Sequence, residues 1–158
     1  MTVLVFDWLL PAFYAFMSCV GFCLVFNIHG PGILICGSGG AFGWLVYLVA
    51  IAYGHTVIMA NLFSAIAITL FSEVMARIRR CPASVYLIIA LIPLVPGGGI
   101  YQAMLHCVQG NTELFLATLL RTLGIAGALS LGVVLGSAFM RIVFSGFIHS
   151  RKANTGSH

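Results

Sequence analysis

The run Ile92-Pro93-Leu94-Val95-Pro96-Gly97-Gly98-Gly99-Ile100-Tyr101 is the most unusual stretch of the sequence. A proline removes one backbone N–H and its ring clashes with the preceding turn, so this pair must kink or stop a helix. Gly97, Gly98 and Gly99 add backbone freedom at the same place. In lipid, backbone polar groups freed in this way survive only where protein or a watery cavity satisfies them. Many transporters build substrate sites from such discontinuous helices, with a half-helix N-terminus turned toward anionic groups. A simple proline kink is the plainer alternative, but two prolines followed by three glycines favour a true break. Pro93, Pro96, Gly97, Gly98 and Gly99, with the adjoining Tyr101 and Gln102, are therefore candidate substrate-binding positions.

Arg121 is the second anomaly, set among Leu119, Leu120 and Leu123 two turns inside an apolar segment. A charge at membrane depth costs about 2.5–3.5 kcal/mol on translocon scales, and such residues usually face a cavity and mark a substrate or ion path. Its planar, permanently protonated fork suits a carboxylate. Snorkelling to the near interface is the competing reading. Counting residues inward from the segment ends brings Asn61, Ser64 and the Gly97–Gln102 stretch to the level of Arg121. Amide, hydroxyl, guanidinium and opened backbone would then line one chamber.

The three acids have plainer roles. Glu73 stands four residues before Arg77 and predicts an i,i+4 ion pair. Asp7 sits about one turn into the first apolar segment, and Glu113 opens the last one. Proton coupling needs a titratable group in the path, and Glu73 and Asp7 are the available candidates. The five cysteines are scattered without a C-x-x-C pair, and the histidines lie at segment ends, so neither a disulfide framework nor a metal site is expected. Cys19 and Cys23 share a helix face but read as small buried hydrophobes. No nucleophile, zinc-protease or phosphate-loop pattern is present, so the sequence points to no enzyme, no metal and no cofactor.

The elements that must hold these groups are helices in a bilayer. The 158 residues are 61% hydrophobic and 6% charged, with a mean hydropathy of +1.14, whereas a soluble domain needs about a quarter charged residues to cover its surface. Spanning the hydrocarbon core takes about 20 apolar residues. Segments 3–26, 32–53, 56–76, 84–108 and 114–144 qualify, which predicts an all-α integral membrane fold of about five spans with the fourth broken at Pro93/Pro96-Gly97. Residues 1–150 read as one transmembrane domain and 151–158 as a polar cytoplasmic tail. Val3 onward has no basic leader, so it reads as a permanent span. Arg77, Arg79, Arg80, Arg141, Arg151 and Lys152 all fall on one side of that topology and no Lys or Arg falls on the other. The positive-inside rule puts that side in the cytoplasm and the N-terminus outside. The net charge of +4 forms no stripe, so nucleic acid is not an expected partner.

Gly124, Ala128, Gly132 and Gly136 repeat every four residues, as do Gly39 and Gly43. Small residues at this spacing let helices approach closely, either within the chain or against a partner.

The segment Arg79-Arg80-Cys81-Pro82-Ala83, the Ile92-Pro93-Leu-Val-Pro96-Gly97 core and Tyr101-Gln-Ala-Met104 resemble the threonine/serine exporter family. Gly21-Phe22, Phe26-Asn27 and Ala128-Leu-Ser-Leu-Gly132 fit as well, so the resemblance covers most of the chain. It is closest in kind to YjjB-type five-span subunits, which match the C-terminal half of full-length members. Pro93, Pro96 and Gly97 carry over as motif positions, whereas the Gly98-Gly99 continuation is richer in glycine than the family pattern. The resemblance implies export of a small carboxylate-bearing metabolite, threonine, serine or a dicarboxylate such as succinate, across a bacterial cytoplasmic membrane. It further implies a gradient as driving force and a second five-span subunit, or a homo-oligomer, as partner. The alternatives are a non-transporting membrane scaffold and a small homo-oligomeric channel.

Overall fold

The computed structural model describes the backbone of residues 2–154 and the side chains of residues 8–144. Six helices follow in order: α1 (Thr2–Val25), α2 (Gly32–Ala52), α3 (Val57–Arg79), α4 (Ala83–Leu91), α5 (Gly97–Val108) and α6 (Thr112–Asn154), with a 3-10 turn over Ile92–Leu94. Among the described residues no strand is present. Four helices are long and apolar enough to cross a membrane, and α4 with α5, bent by 49° at the break, is apolar enough to be a fifth when the pair is counted as one span. The expected all-α membrane architecture with a broken fourth span is what the structure contains.

The helices stop where the sequence supplies a residue for the left-handed turn. Asn27, Gly54, Arg80 and Gly110 have φ of 57°, 82°, 53° and 74°. Past each, the next N–H reaches back to close the helix: Ile28 to Cys23, His55 to Ala50, Cys81 to Ala76 and Asn111 to His106, at 2.9–3.2 Å. This is the Schellman arrangement, which satisfies carbonyls that a helix end leaves orphaned. Thr56 Oγ1 accepts from the Met59 N–H and Asn111 Oδ1 from that of Leu114, capping α3 and α6. α6 extends ten residues past the expected end at 144, reaching Asn154, so the first part of the expected tail is helical; residues 155–158 lie outside the described residues. Its apolar part alone, Thr112–Phe144, is 33 residues, about 50 Å, against a hydrocarbon core of about 30 Å.

Small residues set the packing. A methyl group on Gly132 would stand 2.8 Å from the Leu62 carbonyl and 2.6 Å from the Ala65 Cβ, and one on Gly136 would stand 2.8 Å from Thr69. The α6 repeat is thus filled by α3 of the same chain. In α2, the missing side chain of Gly43 is replaced by Ile68 and that of Gly40 by the Cys19 thiol. Two small cores result: Cys19, Cys23, Cys36, Tyr86 and Ile89 join α1, α2 and α4, while Ala65, Ile68, Ala90, Leu94 and Leu129 join α3, α4 and α6.

The two halves of the broken span choose different neighbours. α4 packs between α2 and α3, whereas α5 leaves them and lies on α6. The divergence opens a space between α2 and α3 on one side and α5 and α6 on the other.

Candidate functional site

The break is built residue by residue. Pro93 lacks the N–H that would bond to the Ile89 carbonyl four residues back; that carbonyl accepts instead from the Ile92 N–H, as the helix tightens, and from the Cys19 thiol of α1 at 3.3 Å. Val95 is extended, with ψ 127°, as a residue before proline prefers. Pro96 (φ −77°, ψ 55°) forms an inverse γ-turn, in which the Gly97 N–H reaches the Val95 carbonyl at 2.7 Å. The Ile100 N–H then bonds to the Pro96 carbonyl, opening α5, whose start carries no side-chain cap. The first N–H groups of a helix have no partner within it, and the helix dipole makes this end attractive to an anion.

A cavity of about 500 Å³ lies at this point. The break supplies Pro93, Pro96, Gly98 and Gly99, with Gln102 one turn into α5. Asn61 enters from α3, Trp44 and Tyr47 from α2, and Thr118, Arg121 and Thr122 from α6. Asn61 is 4% exposed, and its amide N–H donates to the Val57 carbonyl at 2.8 Å, which leaves its Oδ1 as the free acceptor. The indole Nε1 of Trp44 is buried and has no hydrogen-bond partner among the described residues. The Trp44 and Tyr47 rings lie 5.4 Å apart between centroids, tilted by 37°. Among the described residues the one ion pair joins Arg77 to Glu73, so Arg121 has no carboxylate partner there. Thr122 donates to the Thr118 carbonyl at 2.7 Å, and its hydroxyl fills the place where a side chain on Gly99 would stand, so α5 meets α6 at the cavity wall.

Of the positions singled out in the sequence, Pro93, Pro96, Gly98, Gly99, Gln102, Asn61 and Arg121 meet around this one cavity. Ser64, Gly97 and Tyr101 are not part of its wall. Ser64 is fully buried and donates to the Gly43 carbonyl at 2.6 Å, closing α3 onto α2. Tyr101 is 69% exposed. Glu73 is 3.6 Å from Arg77, whose guanidinium also lies 3.6 Å over the Phe144 ring, and neither belongs to the cavity. The Asp7 side chain lies outside the described residues. Trp44, Tyr47, Thr118 and Thr122 were not expected. Thr118, Arg121 and Thr122 do share one helical face, a polar stripe that the spacing alone would reveal.

A helical, multi-span membrane protein with a broken helix walling a partly polar cavity has the build of a transporter. Residues 11–139 match the family described as "Threonine/Serine exporter, ThrE". The chain belongs to that family. An uncharacterized protein of Haemophilus influenzae is 24% identical over 149 residues, which are 89% of this chain and 50% of that relative. The chain thus spans about half the length of the curated relative it matches. No solved structure matches it.

Proposed function

We propose that this chain is one half of a secondary transporter that exports threonine or serine across a bacterial cytoplasmic membrane, and that the cavity at the helix break holds the substrate. One observation carries the reading: the Arg121 guanidinium, which has no carboxylate partner among the described residues, and the uncapped start of α5 flank the same cavity. Both attract a carboxylate. The remainder of the wall suits an ammonium and a hydroxyl. Asn61 Oδ1 is a free acceptor, the Trp44–Tyr47 pair offers aromatic faces, and Trp44 Nε1 is an unused donor. A dicarboxylate such as succinate needs a second cation, and Arg121 is the one Lys or Arg in the wall, so a zwitterion is the better fit.

Family membership and the doubled length of the relative support a second five-span subunit that completes the path. In this reading Glu73 and Asp7 are the candidates for coupling export to an ion gradient, and the arginine-bearing turn after α3 faces the cytoplasm. The test is flux in liposomes holding the purified chain, alone and with its partner subunit, for threonine, serine and succinate, with and without a pH gradient. Gradient-dependent threonine or serine flux with the partner supports the reading. Faster movement of succinate overturns the substrate assignment, uncoupled flux by the chain alone indicates a channel, and no flux in any arm indicates a scaffold.

A further inference from the structure

A second depression, about 530 Å³, lies at the other end of α4, where the α1–α2 and α3–α4 turns meet. His29 and Gly32 come from the first turn and the start of α2; Arg79, Cys81, Pro82 and Tyr86 come from the second turn and the start of α4. Arg79 is exposed and has no carboxylate partner among the described residues. Tyr86 is 4% exposed, and its phenol lies beside Cys81 and Arg79. The starts of α2 and α4 have no side-chain caps. His29 Nδ1 lies 2.9 Å from the Asn27 carbonyl, which fixes the ring in the wall.

Next to this polar hollow is an apolar one of about 220 Å³ that shares Ile28 and Val85 with it. Its other walls are Phe26 from the end of α1 and Ser84, Ile88 and Ile89 from α4. Phe26 and Ile88 are 57% and 55% exposed. A free anion needs only the first hollow. A cationic, hydroxyl-bearing hollow continuing into an apolar groove along a helix matches an amphiphile with an anionic head.

We infer that this is a binding site for an anionic phospholipid, with the headgroup phosphate held by Arg79 and Tyr86 and one acyl chain lying in the groove between Phe26 and Ile88. The chemistry is that of basic pockets between transmembrane helices at a cytoplasmic face, where anionic lipids are recognised. The arginines of the same turn set that face by the positive-inside rule. The lipid extends the contact between α1 and α4 beyond the Cys19–Ile89 core, and α4 is the half-helix that ends at the substrate cavity. The inference depends on the membrane fold and not on the transported substrate.

The test is lipid retention by the purified full chain in detergent, read by native mass spectrometry, with phosphatidylglycerol, phosphatidylcholine and soluble glycerol phosphate as probes. Phosphatidylglycerol is expected to bind in preference to the other two. Arg79→Gln is expected to weaken it about fivefold, the value of about one basic residue at an anionic lipid surface. Ile88→Trp, at an exposed position that tolerates the change, is expected to weaken both lipids by obstructing the groove. Arg121→Ala is expected to leave binding unchanged. Equal retention of phosphatidylcholine, or a preference that survives Arg79→Gln, overturns the anionic site. Glycerol phosphate binding as tightly as the lipid, or indifference to Ile88→Trp, overturns the lipid and leaves a phosphate pocket.

Discussion

Two glycine-rich stretches of this molecule do opposite things. In α6, glycine closes space: the atoms of α3 occupy the volume that a side chain at Gly132 or Gly136 would take, and the two helices form a close seam. At the break, Gly97 and Gly98 have nothing within 4 Å of where a side chain would stand; Gly98 borders a cavity, and Gly99 beside it meets the Thr122 side chain at the cavity wall. The difference lies in the neighbouring residues. The α6 glycines stand at i,i+4 in a run of good helix residues, so the helix continues and its flat face invites a partner. The break glycines follow two prolines, so the helix has already lost its ladder and its ends separate. Glycine content alone predicts neither outcome.

The comparison breaks most visibly at the seam. Gly132→Val must move the α3 backbone carbonyl of Leu62 rather than a flexible side chain, and is expected to cost about 3 kcal/mol in thermal unfolding in detergent. At the cavity the effect should fall on transport instead. Arg121→Ala removes a charge-assisted contact and is expected to weaken threonine transport about 30-fold, which is about 2 kcal/mol, while the melting temperature holds. An unfolded Arg121→Ala protein would show that the residue belongs to packing, like the seam. Trp44→Phe replaces the indole by a smaller phenyl ring and deletes the buried N–H, so threonine transport should weaken about fivefold, about 1 kcal/mol. The smaller ring is expected to lose about 1 kcal/mol in unfolding as well. Cys19→Ala removes one of two donors to the Ile89 carbonyl, the Ile92 N–H remaining, and is expected to cost about 0.5 kcal/mol of stability, with Cys19→Ser restoring it. Gly127→Ala is the sharpest control. It lies on α6 but off the seam, with open space around it, and its unfolding should stay within about 0.5 kcal/mol of the parent.

The bilayer fold was legible because its signal is collective: composition and span length each hold over tens of residues. The break was legible for a local reason, since Pro93 and Pro96 cannot both sit in an intact helix. Arg121 and Asn61 were found by depth, which ranks residues along the membrane normal but leaves their direction open. That is why Ser64, one turn from Asn61, was grouped with the chamber although its hydroxyl is spent on the Gly43 carbonyl. Tyr101 failed for the same reason, as it lies on the face of α5 turned away from the bundle. Trp44 and Tyr47 went unseen because aromatic residues in an apolar helix read as lipid-facing or core, and only the tertiary fold brings them opposite the break. The choice between packing and partner for the glycine repeats also needed the fold, because an i,i+4 stripe states that a helix approaches and not which one.

The central claim is that the broken fourth span borders a water-filled cavity that threonine or serine occupies. Ala117 lines that cavity without a group that contacts substrate, so a cysteine there reports on it. The measurement is alkylation of Ala117→Cys by a charged, water-soluble thiol reagent in liposomes, in a chain whose exposed Cys81 and Cys107 are serine, with and without threonine. The account predicts that the thiol reacts and that threonine slows the reaction, with less slowing when Arg121→Ala is added. A thiol that reacts only with a lipid-soluble reagent, or at a rate indifferent to threonine and serine, would contradict it.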